Sequence, residues 1–123
     1  MENEKNVLCA ANSYIEKFYL NEEFRKLPEE VQKTLQILCV EYTEEVGGIL
    51  LLRFDEEGHL QLETITEDGD YLYDEIGAEL KIRSIEKRYG ELFEKLELYY
   101  EGLQSIRRAE RASRKTLRQG EGV

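Results

Sequence analysis

The sequence predicts an α+β domain: two N-terminal helices with a short helical connector, one β-hairpin, and a long C-terminal helix packed across them. Three observations carry that class. Ile82, Ile85, Tyr89, Leu92, Leu96, Tyr99, Leu103 and Ile106 recur at alternating spacings of three and four, an apolar helical seam held for nearly four heptads. The runs Ile49 to Asp55 and His59 to Thr66 flank the loop Glu56-Glu57-Gly58 and match face for face as a hairpin. Charged residues make up 36% with a single Pro, a composition of helix-rich proteins rather than of sandwiches of short strands.

Taken in order, Asn6 is positioned to cap a first helix running to about Leu20. Val7, Ala11, Tyr14 and Phe18 line one edge of its apolar face, with Leu8, Ile15 and Tyr19 beside them. Asn21 opens a connecting turn, helical through Lys26, with Phe24 and Leu27 inward. Pro28 followed by Glu29 and Glu30 starts the second helix. Proline lacks an N–H that the first turn could not use, and the carboxylates suit the positive end of the dipole. Val31, Leu35, Leu38 and Tyr42 carry this helix to about Glu45, and Ile37, Cys39 and Val40 make its middle apolar nearly all round. Gly47 and Gly48 stop it.

In the hairpin, a bulge with Gly58 in the left-handed conformation pairs Phe54 with Leu60, Leu52 with Leu62 and Leu50 with Thr64. The other face sets Ile49, Leu51 and Arg53 opposite Ile65, Glu63 and Gln61. Two strands alone are marginal, so the sheet needs completing. Asp68-Gly69 can turn the chain into a third strand at Tyr71 to Tyr73, with the last helix starting at Asp74. Alternatively Asp70 caps the helix and a second copy completes the sheet; the helical spacing of Leu72, Ile76 and Leu80 favours Asp70. The last helix then runs from Asp70 to about Ile106, with Ala78 extending the seam backward and Phe93 and Tyr100 widening it. Gly77, Gly90 and Gly102 mark close packing or a kink within it.

Domain organisation follows the charge. Residues 1–104 carry 11 Lys/Arg and 25 Asp/Glu, whereas residues 105–123 carry six and two. We therefore read residues 1–106 as a single domain and 107–123 as a basic, partly disordered tail, with disorder placed at Gln119 to Val123. The formal net charge of -10 argues against nucleic-acid binding by the body and against anionic membrane surfaces. Cys9 and Cys39 have no metal-like spacing and lie in apolar pattern, so they read as two buried thiols. No secretory leader or span-length apolar run occurs, which points to the cytoplasm.

Chemistry-bearing motifs are sparse. His59, the one histidine, sits at the hairpin turn beside Asp55, Glu56 and Glu57, where solvated turn residues are the ordinary reading. Asp68, Asp70, Asp74 and Glu79 fall at positions 1, 3, 7 and 12 of a calcium loop. Leu72 and Tyr73 occupy the places of an oxygen ligand and the obligatory glycine, so the match fails. No nucleophile elbow, phosphate loop, dinucleotide fingerprint or CxxC is present. The expectation is a non-enzyme with no catalytic, cofactor-binding or metal-binding residues.

Interaction is the remaining class. About 37 helical residues span roughly 55 Å, against roughly 35 Å for a compact body of this size. Tyr99, Tyr100, Leu103 and Ile106 are therefore assigned to an interface at the overhanging end, covered by a second copy in a homodimer. Arg107, Arg111, Arg114 and Arg118 recur at spacings of 4, 3 and 4, a basic stripe that suits a helix C-terminus and the chain's own acidic body, or alternatively one that contacts an anion. The alternatives are an acidic inhibitor or immunity-type protein masking a basic partner, and an accessory protein touching nucleic acid through the tail alone. No membrane partner is expected.

The runs YIEKFYLNEEFRKLPEEVQK (Tyr14 to Lys33), LCVEYTEEVGGILLLRFDEEGHLQLET (Leu38 to Thr64) and DYLYDEIG (Asp70 to Gly77) carry a family resemblance. They are similar to an uncharacterised family of small acidic cytosolic proteins of anaerobic Gram-positive bacteria, a domain of unknown function. The resemblance covers about Glu4 to Tyr100 and leaves out the arginine-rich tail. It implies a bacterial, cytosolic, single-domain protein and carries no functional residue.

Overall fold

The chain opens with strands where the apolar pattern predicts a helix. The computed structural model describes residues 6–121, with side chains through Arg114. In it, β1 (Val7–Asn12) and β2 (Lys17–Leu20) form an antiparallel hairpin. Residues 7–20 satisfy both periods: Cys9, Ala11, Phe18 and Leu20 also alternate onto one face of a strand pair. Tertiary pairing decides between them. β1 lies antiparallel to β3 (Ile49–Phe54), giving backbone partners to an edge that a helix would have left bare. With β4 (Leu60–Ile65) the sheet has four strands in the order β2-β1-β3-β4. The architecture is thus α+β with a four-stranded antiparallel sheet and three helices, not two N-terminal helices and a single hairpin, and the chain itself completes the sheet.

The β1–β2 turn is held locally. Asn12 Oδ1 accepts the Tyr14 N–H at 2.9 Å, and Glu16 takes a left-handed φ of 50°. Ser13 donates from both its N–H (3.0 Å) and its hydroxyl (2.8 Å) to the Gly48 carbonyl, tying the turn to the start of β3. A bulge between Val7 and Cys9 lets the adjacent Leu8 and Cys9 both be fully buried. After β2, Asn21 bonds the Val7 carbonyl and caps one turn of 3-10 helix, Glu22–Phe24. Phe24 and Leu27 enter the core there, as their pattern predicts.

α1 (Glu29–Val46) starts after Pro28 and buries Leu35, Leu38, Cys39 and Tyr42 against the sheet, while Ile37 stays on its outer side. Gly48 has a positive φ of 70°, and a Cβ there would come within 3.0 Å of both the Ile65 carbonyl and the Tyr73 ring, so glycine is required. The β3–β4 register pairs Phe54 with Leu60, Leu52 with Leu62 and Leu50 with Thr64, with Gly58 at φ 88°, in agreement with the sequence pattern. All helices pack on the face carrying Cys9, Ala11, Leu50, Leu52 and Phe54. The opposite face is open; it carries the Arg53–Glu63 ion pair (2.8 Å) with Tyr19 and Ile65 exposed.

The predicted single last helix is two. α2 (Glu75–Arg88) has Asp74 as its N-cap, and α3 (Gly90–Glu121) follows a break at Tyr89, whose φ of -110° and ψ of 18° leave helical geometry. Residues 70–73 form neither a strand nor a helical turn. Side-chain tethers hold them: the Tyr14 hydroxyl donates to Asp70 at 2.6 Å, and the Tyr42 and Tyr73 hydroxyls bond at 2.9 Å. Leu72, Ile76 and Leu80, whose spacing favours a start at Asp70, remain 95%, 75% and 61% exposed. α3 continues through most of the expected tail; Gly122 and Val123 lie outside the described residues. Among the described residues no helix is long and apolar enough to cross a membrane.

Candidate interaction surface along the last helix

α3 is anchored by its aromatic residues. Tyr100 is buried and stacks on Phe54 with ring centroids 4.1 Å apart and planes 4° from parallel, and Phe24 lies against the same pair. Its hydroxyl donates to Asn6 Oδ1 at 2.9 Å and receives a bond from Gln104. Tyr99 and Leu103 are half-buried against the core, Tyr99 beside Phe24. Ile106 alone of the four assigned interface residues is well exposed. The body therefore reaches about one helical turn further along the helix than the length argument places it, because Phe24 and Phe54 build an aromatic platform under Tyr99 and Tyr100.

Beside α3, the β3–β4 turn rises to form the second wall of a cleft of about 810 Å³. The turn is organised by Asp55, whose Oδ1 accepts the N–H groups of Glu57 and His59 at 2.9 Å each while Oδ2 accepts from Gln61. The His59 N–H leads the bonds that hold the Asp55 carboxyl below the usual carboxylate range. Glu97 on α3 reaches across and accepts the Leu60 N–H at 2.7 Å, bonding the start of the edge strand β4 to the helix. His59 lies 3.7 Å from Glu57 and 3.8 Å from Glu97, ion-pair distances rather than hydrogen bonds. Asp55, Glu56, Glu57, Glu94, Glu97 and Glu101 give the cleft six carboxylates. Among the described residues no group of three or more His, Cys, Asp or Glu is arranged to hold a metal ion.

The arginines divide. Arg107 turns back to pair with Glu23 at the start of the 3-10 turn. Arg111 and Arg114 are exposed on the helix beyond the body, and Arg118 lies past the described side chains. The two cysteines are buried free thiols with their sulfurs 3.8 Å apart. Burial pushes the Cys9 thiol well up, which makes it a poor nucleophile.

One polar pattern escapes a reading centred on apolar residues. Glu94, Glu97, Glu101, Gln104, Arg108 and Arg111 recur at spacings of 3, 4, 3, 4 and 3, so they share one face of α3. The stripe is acidic in its first half and basic in its second. The same seam arithmetic applied to charge would have found it.

The family of unknown function DUF6145 matches residues 5–108. The chain belongs to this family. Comparison with curated proteins and with solved structures gives no match. The DUF6145 match takes in the whole sheet, α1, α2 and the acidic half of the α3 stripe, and ends at Arg108.

Proposed function

We propose that the protein is a non-enzymatic, cytoplasmic interaction module that works as a homodimer. The supporting observation is α3 itself. Residues 107–121 extend the helix by about 22 Å at 1.5 Å per residue beyond the last turn packed on the core. A helical arm of that length gains little from its own fold, and isolated helices of this size are marginal in water. A partner surface supplies what the fold does not. The resemblance to small acidic cytosolic proteins of anaerobic Gram-positive bacteria supports the bacterial, cytosolic setting. Light scattering at tens of micromolar protein tests the reading: twice the chain mass is expected, and a monomer mass would sink it.

A second reading has its own support in the cleft. Six carboxylates beside α3 favour a cationic protein as partner, the role of an acidic inhibitor. Capture from the native host would then recover one strongly basic protein at low salt and lose it at high salt. Binding of nucleic acid through the arm predicts instead a salt-sensitive gel shift that vanishes on deleting residues 107–123.

A further inference from the structure

We infer that α3 is self-complementary and that two copies pair through it, antiparallel about a twofold axis near Gln104. This inference rests on the homodimer reading and names its surface. The stripe provides the argument. Antiparallel pairing centred on Gln104 sets Glu101 opposite Arg108 of the second copy and Glu97 opposite Arg111, within a residue of register. Glu94 then meets Arg114. Each contact occurs twice, as an isologous interface requires. A parallel pair would instead put carboxylate on carboxylate and guanidinium on guanidinium.

The charge order is only partly explained within one chain, where Arg108 lines the acidic cleft and donates to the Ser105 hydroxyl at 3.2 Å. The helix dipole favours cations within the last turn only, but Arg108 lies 13 residues before Glu121, more than three turns from the end. Glu101 and Arg108 are seven residues apart, too far for an intrahelical pair. Arg107 reaches the body at Glu23, whereas Arg111 and Arg114 lie beyond it. Past Arg108, which lines the cleft, the arm continues along the same helix and so cannot fold back into the cleft that borders its own first half. A second copy can lay its arm there, beside the carboxylates of the β3–β4 turn. Leu98, 67% exposed at the same level, then meets the small Ala109 and Ala112 of the opposing helix. The overlap from Glu94 to Arg114 is about 30 Å long.

Charge exchange tests this pairing. Glu94, Glu101, Arg108 and Arg114 are all exposed, so the substitutions spare the core. E94R/E101R makes the cleft half basic, and R108E/R114E makes the arm half acidic. Each variant alone should be monomeric by light scattering with an unchanged circular-dichroism spectrum, because two of the three contacts, each made twice, become repulsions and only Glu97 with Arg111 stays attractive. Mixed one to one, the two should restore a dimer, since each arm again meets a complementary face. Wild-type association should weaken roughly tenfold or more when salt rises from about 50 to about 500 mM. A wild type that dimerises while both variants also dimerise would overturn this surface and leave the homodimer reading standing. Monomeric variants whose mixture stays monomeric would overturn it as well. A monomeric wild type would overturn both.

Discussion

α2 and the first half of α3 carry apolar side chains at the same helical spacing, but they use them differently. In α3, Phe93, Leu96 and Tyr100 are buried and Tyr100 closes an aromatic stack with Phe54 and Phe24. In α2 only Ala78 and Ile85 are buried, while Ile76 and Leu80 face solvent together with Leu72 just before the helix. The difference arises within α2 itself. Ala78, Ile82 and Ile85 continue the buried seam backward, but Ile76 and Leu80 lie on the opposite side of the helix, in a second row with Leu72 that faces outward. An amphipathic repeat shows that a face is available for burial; which row is buried depends on what platform the rest of the chain builds beneath it.

Paired truncations should break this comparison most sharply. Tyr100→Ala removes a buried aromatic and its bond to Asn6, for an expected loss of about 3–5 kcal/mol of stability. Leu96→Ala, 2% exposed, should lose about 2–5 kcal/mol. Leu80→Ala and Leu72→Ala should stay within about 0.5 kcal/mol, as surface changes do. Urea denaturation midpoints at constant slope measure all four. A Leu80→Ala loss as large as that of Leu96→Ala would show that α2's outer row is covered in solution.

The link between α2 and the body is polar, and it gives an intermediate effect. Tyr42 and Tyr73 join hydroxyl to hydroxyl at 2.9 Å just ahead of the helix. Tyr42→Phe should cost about 0.5–1.5 kcal/mol, the net value of one such bond. Burial, and then the bond to Tyr73, raises the Tyr42 pKa in the folded state. A raised folded pKa means that the contribution is complete below the unfolded value, about 10, and declines as pH rises above it. Wild type should therefore lose stability at alkaline pH faster than Tyr42→Phe, read as melting temperature from neutral pH to about pH 11.

How much of this was legible in the sequence differs from element to element. The β3–β4 register and the Gly58 bulge were legible because turn length and period two are local constraints. α1 was legible from Pro28 and the spacing of Leu35, Leu38 and Tyr42. Residues 7–20 were not, since they satisfy both periods, and the deciding term is β3's edge, some 40 residues away in the chain. The break at Tyr89 was indicated only by Gly90, and the Asp70 tether to Tyr14 spans 56 residues. For the candidate surface, the basic stripe could be read directly, but Phe24 and Phe54 under Tyr100 could not, because they meet only in three dimensions.

The smallest expected effect lies at the wall of the cleft. Asp55 holds the β3–β4 turn through two backbone N–H groups and Gln61. These bonds, led by that from His59, lower its folded pKa below the usual carboxylate value. A lowered folded pKa gives a contribution present above the unfolded pKa, near 3.9, and lost as pH falls through the folded one. Asp55→Asn keeps one acceptor oxygen but removes the charge that strengthens these bonds. Its melting temperature should fall slightly below wild type at neutral pH, and the gap should close as pH drops below about 4. A gap that persists unchanged into acid would assign the loss to altered turn geometry rather than to the carboxylate's charge. If two copies pair through α3 as inferred above, a shift in the geometry of this bordering turn should also weaken self-association of Asp55→Asn relative to wild type, whereas loss of charge-assisted bonding alone should leave it unchanged.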